Sequence, residues 1–143
     1  MLMVPGRPAV LAKMVTPHRF RDPEYAASVA GDLYGGSART DPLVVKELMD
    51  RQRMAGSRIG YLHQLLAGSI WTSLFGLPLI RQETLIVAGT DDPIIPVVNA
   101  KLMHLLLPHA ALHLHDGGHV ELITIAAQLA PVIEQFRNPT LSR

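Results

Sequence analysis

Two loops of this chain end in groups suited to moving a proton. Gly89-Thr90-Asp91-Asp92-Pro93-Ile94-Ile95-Pro96 offers a carboxylate, and Asp116-Gly117-Gly118-His119 offers an imidazole. A carboxylate bonded to one ring nitrogen fixes the tautomer of a histidine and stabilises its cation, which leaves the other nitrogen to act as general base. Asp92 is the expected acid and His119 the expected base. Plainer roles compete at both positions. Asp91 or Asp92 can cap a helix beginning near Pro93 or Pro96, Asp91 the more readily, or Asp91 can simply be solvated. His119 can be a first-turn helix residue after a Gly-Gly, although that Gly-Gly at a strand's end lets the imidazole project freely, which favours the catalytic role. The seven histidines also raise the question of a metal. His113 and His115 stand two apart on a predicted strand and share a face, but no third ligand has a defined spacing, so solvent-facing histidines at a strand edge are expected and no metal site.

The elements that position these loops follow from period and punctuation. Glu83-Thr84-Leu85-Ile86-Val87-Ala88 is an apolar, β-branched run closed by Gly89, the pattern of a strand covered on both faces. A helix from Val97 to Leu107 follows and ends at Pro108. Ala110 to His115 is a shorter strand, and Asp116-Gly117-Gly118 a turn. The last helix carries Leu122, Ile125, Leu129, Val132, Ile133 and Phe136 as one buried face, with Pro131 expected to kink it or to open a fresh first turn. Strand, helix, strand, helix implies a parallel sheet with right-handed crossovers, whose functional groups gather on the loops leaving the carboxyl ends of the strands. Only two strands are visible, too few for a doubly covered parallel sheet to stand alone.

Residues 1 to 75 read as helices with repeated punctuation. Asp22-Pro23-Glu24 supplies an N-cap, a proline at the first helical position and a first-turn acid for a helix that Gly35-Gly36 stops after Tyr34. Thr40-Asp41-Pro42 opens a second through Leu43, Val44, Leu48 and Met49. A third runs from about Ser57 to Ser73, where Tyr61, Leu62, Leu65, Leu66, Ile70 and Trp71 make an apolar face. Arg19, Arg21, Arg51, Arg53 and Arg58 are expected on a solvated surface.

Composition narrows the classes. Apolar residues make up 48% of the 143 and charged residues 17%, which excludes a disordered chain. Thirteen Lys and Arg against twelve Asp and Glu leave a formal charge of +1, too balanced for a nucleic-acid or anionic-membrane partner. Without cysteine there are no disulfides, thiolate zinc sites or Cys nucleophiles. No apolar stretch approaches the ~18 residues of a transmembrane helix, and Pro5 and Pro8 break up the start in a way that fits a signal peptide badly.

Leu85-Ile-Val-Ala-Gly-Thr-Asp-Asp-Pro-Ile-Ile-Pro96 together with Asp116-Gly-Gly-His119 resembles the acid and histidine loops of the α/β-hydrolases, whose triads run nucleophile, acid, histidine along the chain. Met3-Val-Pro-Gly6, Leu33-Tyr34-Gly35-Gly36 and Gly60-Tyr-Leu-His-Gln-Leu-Leu-Ala-Gly68 with Trp71-Thr72-Ser73 extend the likeness over nearly the whole chain. They resemble the intracellular medium-chain poly(3-hydroxyalkanoate) depolymerases. The resemblance implies the C-terminal part of an α/β-hydrolase fold, with residues 1–75 a helical cap or lid region and residues 76–143 the last two parallel strands and their helices. It makes Asp92 the triad acid and His119 the general base. It also puts Trp71 and Leu66 in a pocket for an apolar acyl chain, where the residues by themselves favour ordinary packing of an amphipathic helix. The implied substrate is a polyester or medium-chain acyl ester. No cofactor is implied, and the implied location is cytoplasmic, with association to storage granules left open. Glu83, where such strands often begin with proline, departs from the pattern away from the chemistry.

The triad also needs a serine on a Gly-x-Ser-x-Gly turn. Ser37 has Gly35 two residues before it but Arg39 two after, and Ser28, Ser57, Ser69, Ser73 and Ser142 lack both glycines. No histidine precedes a glycine, so a His-Gly oxyanion segment is absent too. The resemblance places both elements upstream of the cap. The chain is therefore expected to be the back half of an enzyme, either a truncated gene product or one that pairs with a separate N-terminal part, and to be inactive alone. Two alternatives stand beside this reading. One is another α/β-hydrolase, acting on small esters, epoxides or haloalkanes. The other is a non-catalytic remnant that serves as an interaction domain through its sheet edge.

Overall fold

The computed structural model describes residues 4–15, 17–41, 43 and 57–138. The helix expected through Val44, Leu48 and Met49 lies outside them, as do Arg51, Arg53 and the side chain of Arg58.

The helical half begins with α1 (Pro8–Met14), which opens on proline, and a 3-10 turn over Pro17–Phe20. In α2 (Pro23–Tyr34) the Asp22 carboxylate accepts the Glu24 and Tyr25 amides at 3.0 and 3.1 Å, as its sequence position requires. The helix ends on Gly35 at φ 65, a conformation that favours glycine. A single turn, α3 (Ser37–Thr40), follows directly. The longest element, α4 (Arg58–Ile70), starts where the Ser57 hydroxyl accepts the Gly60 amide at 2.9 Å. Val10, Val29, Ala30, Leu33, Tyr34 and Ala38 form one buried cluster, and Val120 from the far half of the chain completes it.

Arg19 is buried, where a solvated position was expected. Its guanidinium lies 4.4 Å from the centroid of the Phe20 ring and donates to the Tyr61 hydroxyl at 2.9 Å. Tyr61 in turn donates to the Met14 carbonyl, which ties α4 to α1. A flat, weakly hydrated guanidinium stacks on aromatic rings at a lower desolvation cost than an ammonium would incur. Arg21 is exposed as expected.

The second half is the anticipated strand, helix, strand, helix. Strands β1 (Thr84–Gly89) and β2 (Ala110–His115) pair in parallel, from Thr84 opposite Ala110 to Gly89 opposite His115. Helix α5 (Val98–Leu106) forms the crossover, and Leu77, Ile86, Ala100 and Leu107 make a second buried cluster beneath the sheet. Only Ile86 and Gly89 of β1 are buried. The strand has the composition of a central strand, yet among the described residues it has a single strand neighbour.

The last helix is two. Between α6 (Glu121–Thr124) and α7 (Ala126–Arg137) the chain breaks at Ile125, with φ −118 and ψ 33. Pro131, where the kink was expected, lies inside α7. The early break turns Leu122 out of the expected apolar face, to 59% exposure, and of that face only Leu129 is buried. No helix among the described residues is long and apolar enough to cross a membrane.

Leu33 fills the middle of the helical cluster with almost no exposure. Leu33→Ala is expected to destabilise the chain by about 2–5 kcal/mol, read as a lower urea midpoint at unchanged slope.

Candidate active site

Both loops leave the same end of adjacent strands and stay joined beyond the sheet. Thr90 donates its amide to the His115 carbonyl at 3.0 Å, and Asp91 to the Gly117 carbonyl at 2.9 Å. Gly89 makes the approach possible, since a Cβ there would stand 2.2 Å from the Gly117 oxygen.

Asp92 divides its two oxygens between two tasks. Oδ1 accepts the amides of Ile94 and Ile95, each at 2.9 Å, which holds the turn after the strand. Oδ2 lies 2.9 Å from Nδ1 of His119. The turn-forming and histidine-orienting roles are therefore both present, one on each oxygen. Facing a carboxylate, Nδ1 carries the proton and Nε2 is left as the basic nitrogen. Asp92 is half-buried and His119 exposed.

Asp91 is neither a helix cap nor simply solvated. Its carboxylate takes a forked ion pair from Arg39, Nε to Oδ2 at 2.8 Å and Nη2 to Oδ1 at 3.1 Å, and also the Gly36 amide at 2.8 Å. The Arg39 guanidinium, aided by that amide, holds the Asp91 carboxyl below its ordinary range.

Glu121 is the functional neighbour that the sequence reading did not single out. It is buried, yet fully engaged. Oε1 accepts the amides of Ser37 at 2.7 Å and Gly118 at 3.2 Å, and Oε2 accepts the Thr124 hydroxyl at 2.7 Å. Burial by itself would push this carboxyl up, but the Ser37 amide, the Thr124 hydroxyl and the Gly118 amide together hold it below its ordinary range. With glycine at 118 and Glu121 itself opening the helix behind Val120, the capping-box signature is missing, and no local signal marks Glu121.

His119 itself donates its amide to the Tyr34 carbonyl at 2.7 Å. A cavity of about 440 Å³ opens beside Asp92 and His119, walled by β1, Ile95, Asn99, Met103, Leu122 and Leu129 among others. Buried Asn99 also binds the Val4 backbone at both its carbonyl and its amide, at 2.8 and 2.7 Å.

Trp71 and Leu66 are not on that wall. They are 67% and 59% exposed, and Ile59, Leu62 and Ile70 of α4 are exposed too, so they are not packed in a core either. His113 and His115 are half-buried, where solvent-facing rings were expected. Among the described residues no group of three His, Cys, Asp or Glu is placed to hold a metal ion.

No protein-family model matches the chain. Along 94% of its length it is 43% identical, over 135 residues, to a poly(3-hydroxyalkanoate) depolymerase from Ectopseudomonas oleovorans, and it spans 47% of that protein. It superposes on an enol-lactonase from Burkholderia xenovorans with a TM-score of 0.70 at 17% identity, covering 92% of this chain and 51% of the other. An esterase from Exiguobacterium antarcticum gives 0.67 at 17% identity, with 89% and 47% covered. The chain thus spans about half the length of the relatives it matches.

Because the folded state lowers the Glu121 pKa, the carboxylate contributes stability above the ordinary glutamate range. That contribution is lost as pH falls through the depressed value. The stability gap between the wild-type chain and Glu121→Gln is expected to be widest near neutral pH and to close on acidification, as measured by urea unfolding across a pH series. Glu121→Ala, which leaves the buried amides without an acceptor, is expected to cost about 2–4 kcal/mol near neutral pH.

Proposed function

We propose that this chain, which has the fold of the C-terminal part of an α/β-hydrolase and resembles a poly(3-hydroxyalkanoate) depolymerase, supplies the acid and the histidine of a serine ester hydrolase. The observation that carries the reading is the 2.9 Å contact between Asp92 and His119, past the carboxyl ends of adjacent parallel strands. Asp92 holds the Nδ1 proton. Nε2 takes the proton of a serine hydroxyl as its oxygen attacks the ester carbonyl, then gives it to the departing alcohol. The same nitrogen next deprotonates the water that releases the acid. The substrate is a polyester or medium-chain acyl ester, and no cofactor takes part.

In this reading the serine, on its Gly-x-Ser-x-Gly turn, and the oxyanion donors come from residues outside these 143. Two observations support that. No serine is among the described residues lining the cavity beside His119, and the Ser37 hydroxyl is engaged with Thr124 at 3.2 Å. Residues 1–75 act as the cap and 76–143 as the sheet portion. Exposed Leu66 and Trp71 meet the acyl chain, and an N-terminal hydrolase part completes the site. The protein works in the cytoplasm, at stored polyester.

The isolated chain is expected to leave medium-chain p-nitrophenyl esters unhydrolysed above background and to resist labelling by a fluorophosphonate. Mixing it with the part of the Ectopseudomonas protein that this chain does not match should restore turnover, which His119→Ala lowers at least about 10³-fold. Turnover by the isolated chain that vanishes in His119→Ala would sink the divided site. Restored turnover indifferent to His119→Ala would sink the role of the histidine.

A further inference from the structure

The strands end at Gly89 and His115, so Asp92 and His119 stand beyond the reach of the ladder. Among the described backbone bonds, the last between the two loops is Asp91 to Gly117. Past it, both loops bond to one short stretch of the helical half, Tyr34 to Arg39, each at its own residues. One residue before Asp92, the Asp91 carboxylate takes the Gly36 amide and the fork of Arg39. One residue before His119, Gly118 shares the Glu121 carboxylate with the Ser37 amide, and His119 donates its own amide to Tyr34.

We infer that the turn from Gly35 to Thr40 is a clamp that sets the Asp92–His119 pair, with Arg39 and Glu121 as its positioning residues. Asp92 and His119 sit in loops of different length after different strands, and the clamp gives them one common reference. Arg39 pins the acid loop with a charge-assisted, two-pronged contact that defines direction as well as distance. Glu121 pins the histidine loop from a buried position, accepting the buried Gly118 amide and the half-buried Ser37 amide on one oxygen. Gly36 makes the junction possible. It sits at φ 48, and a Cβ there would stand 2.1 Å from Glu121 Oε1 and 2.2 Å from the Gly118 nitrogen. The helical half thus serves the pair as scaffold as well as cover. Misplacement by about 1 Å is enough to disable a catalytic pair, so a device of this kind has a use.

The inference rests on the proposed acid–base role of Asp92 and His119, but its test reads the imidazole and not turnover. The full 143-residue chain is labelled with ¹⁵N-histidine, and the His119 ring is assigned with His119→Asn. The ring nitrogen shifts report the tautomer. In the wild-type chain the neutral ring is expected to hold its proton on Nδ1, against Asp92. Arg39→Ala and Glu121→Ala should each lose that Nδ1–H excess in chains still folded by circular dichroism. Glu121→Gln, which keeps an oxygen acceptor for the Ser37 and Gly118 amides, should retain it. Lys13→Ala, which removes the ion pair to Asp32 elsewhere on the helical half, should retain it too. If Glu121→Ala does not fold, Arg39→Ala decides. Wild-type tautomer in folded Arg39→Ala and Glu121→Ala overturns the clamp and leaves the hydrolase reading standing. A wild-type ring without the Nδ1–H excess overturns both.

Discussion

Where Tyr34-Gly35-Gly36 lies against Gly117-Gly118, the two halves of the chain meet through backbone with no room for a side chain. A Cβ on Gly118 would stand 1.9 Å from the Tyr34 oxygen, and one on Gly35 would stand 1.9 Å from the Asp91 oxygen. Gly35 and Gly36 both lie at positive φ, at 65 and 48, so the turn favours glycine for conformation as well as for space. The rest of the structure depends on this contact. It brings the His119 amide to the Tyr34 carbonyl, seats Val120 in the helical cluster and delivers the Glu121 carboxylate to the Ser37 amide. The sheet supplies parallel strand ends, and the glycine junction turns them into a site.

Charge is arranged around that junction so that each carboxylate has a partner of its own. Asp91 and Asp92 are adjacent, and two like charges at such a spacing disfavour each other. Their side chains serve different partners, Asp91 the Arg39 guanidinium and Asp92 the imidazole and two amides. Asp116 accepts the Thr90 hydroxyl at 3.2 Å. Glu121 has no cation among its bonded partners. It relies on oriented amides and a hydroxyl, whose combined dipoles outweigh the cost of burial.

Much of this was legible where the controlling interaction is local. Asp22-Pro23-Glu24 and Gly35 bound α2 because caps act within one turn, and the β2 limits follow from Pro108 and Gly117 on either side. Asp92 and His119 could be named because they follow strands, and the structure brings their side chains together. Arg39 could not be named, because its partner lies 52 residues away, and Glu121 binds Ser37 across 84. Burial of Arg19 escaped the sequence reading for a related reason. Charge is a property of the residue, whereas the aromatic surface that shelters it includes Tyr61, 42 positions along. At Pro131 the local rule did not hold. Glu121 is bound to the Ser37 amide, and the break falls at Ile125, one turn beyond that contact, rather than at Pro131.

Strand β1 is patterned for more cover than it has. Its apolar run, Leu85-Ile-Val-Ala88, suits a strand with neighbours on both edges and cover on both faces, yet it is mostly half-buried and borders an open cavity of about 440 Å³. Leu66 and Ile70 of α4, and Trp71 just past its end, are likewise exposed. Exposed apolar surface forgoes about 25 cal/mol for each Å² left in water, so a stretch patterned for burial and left open is unspent stabilisation. The unfilled cavity and the Asp92–His119 pair are the same place, since both residues line it. A segment that filled this cavity would stand beside the imidazole as well as against β1. In the proposed hydrolase, the polypeptide that completes the core completes the chemistry, and folding and catalysis depend on one contact surface.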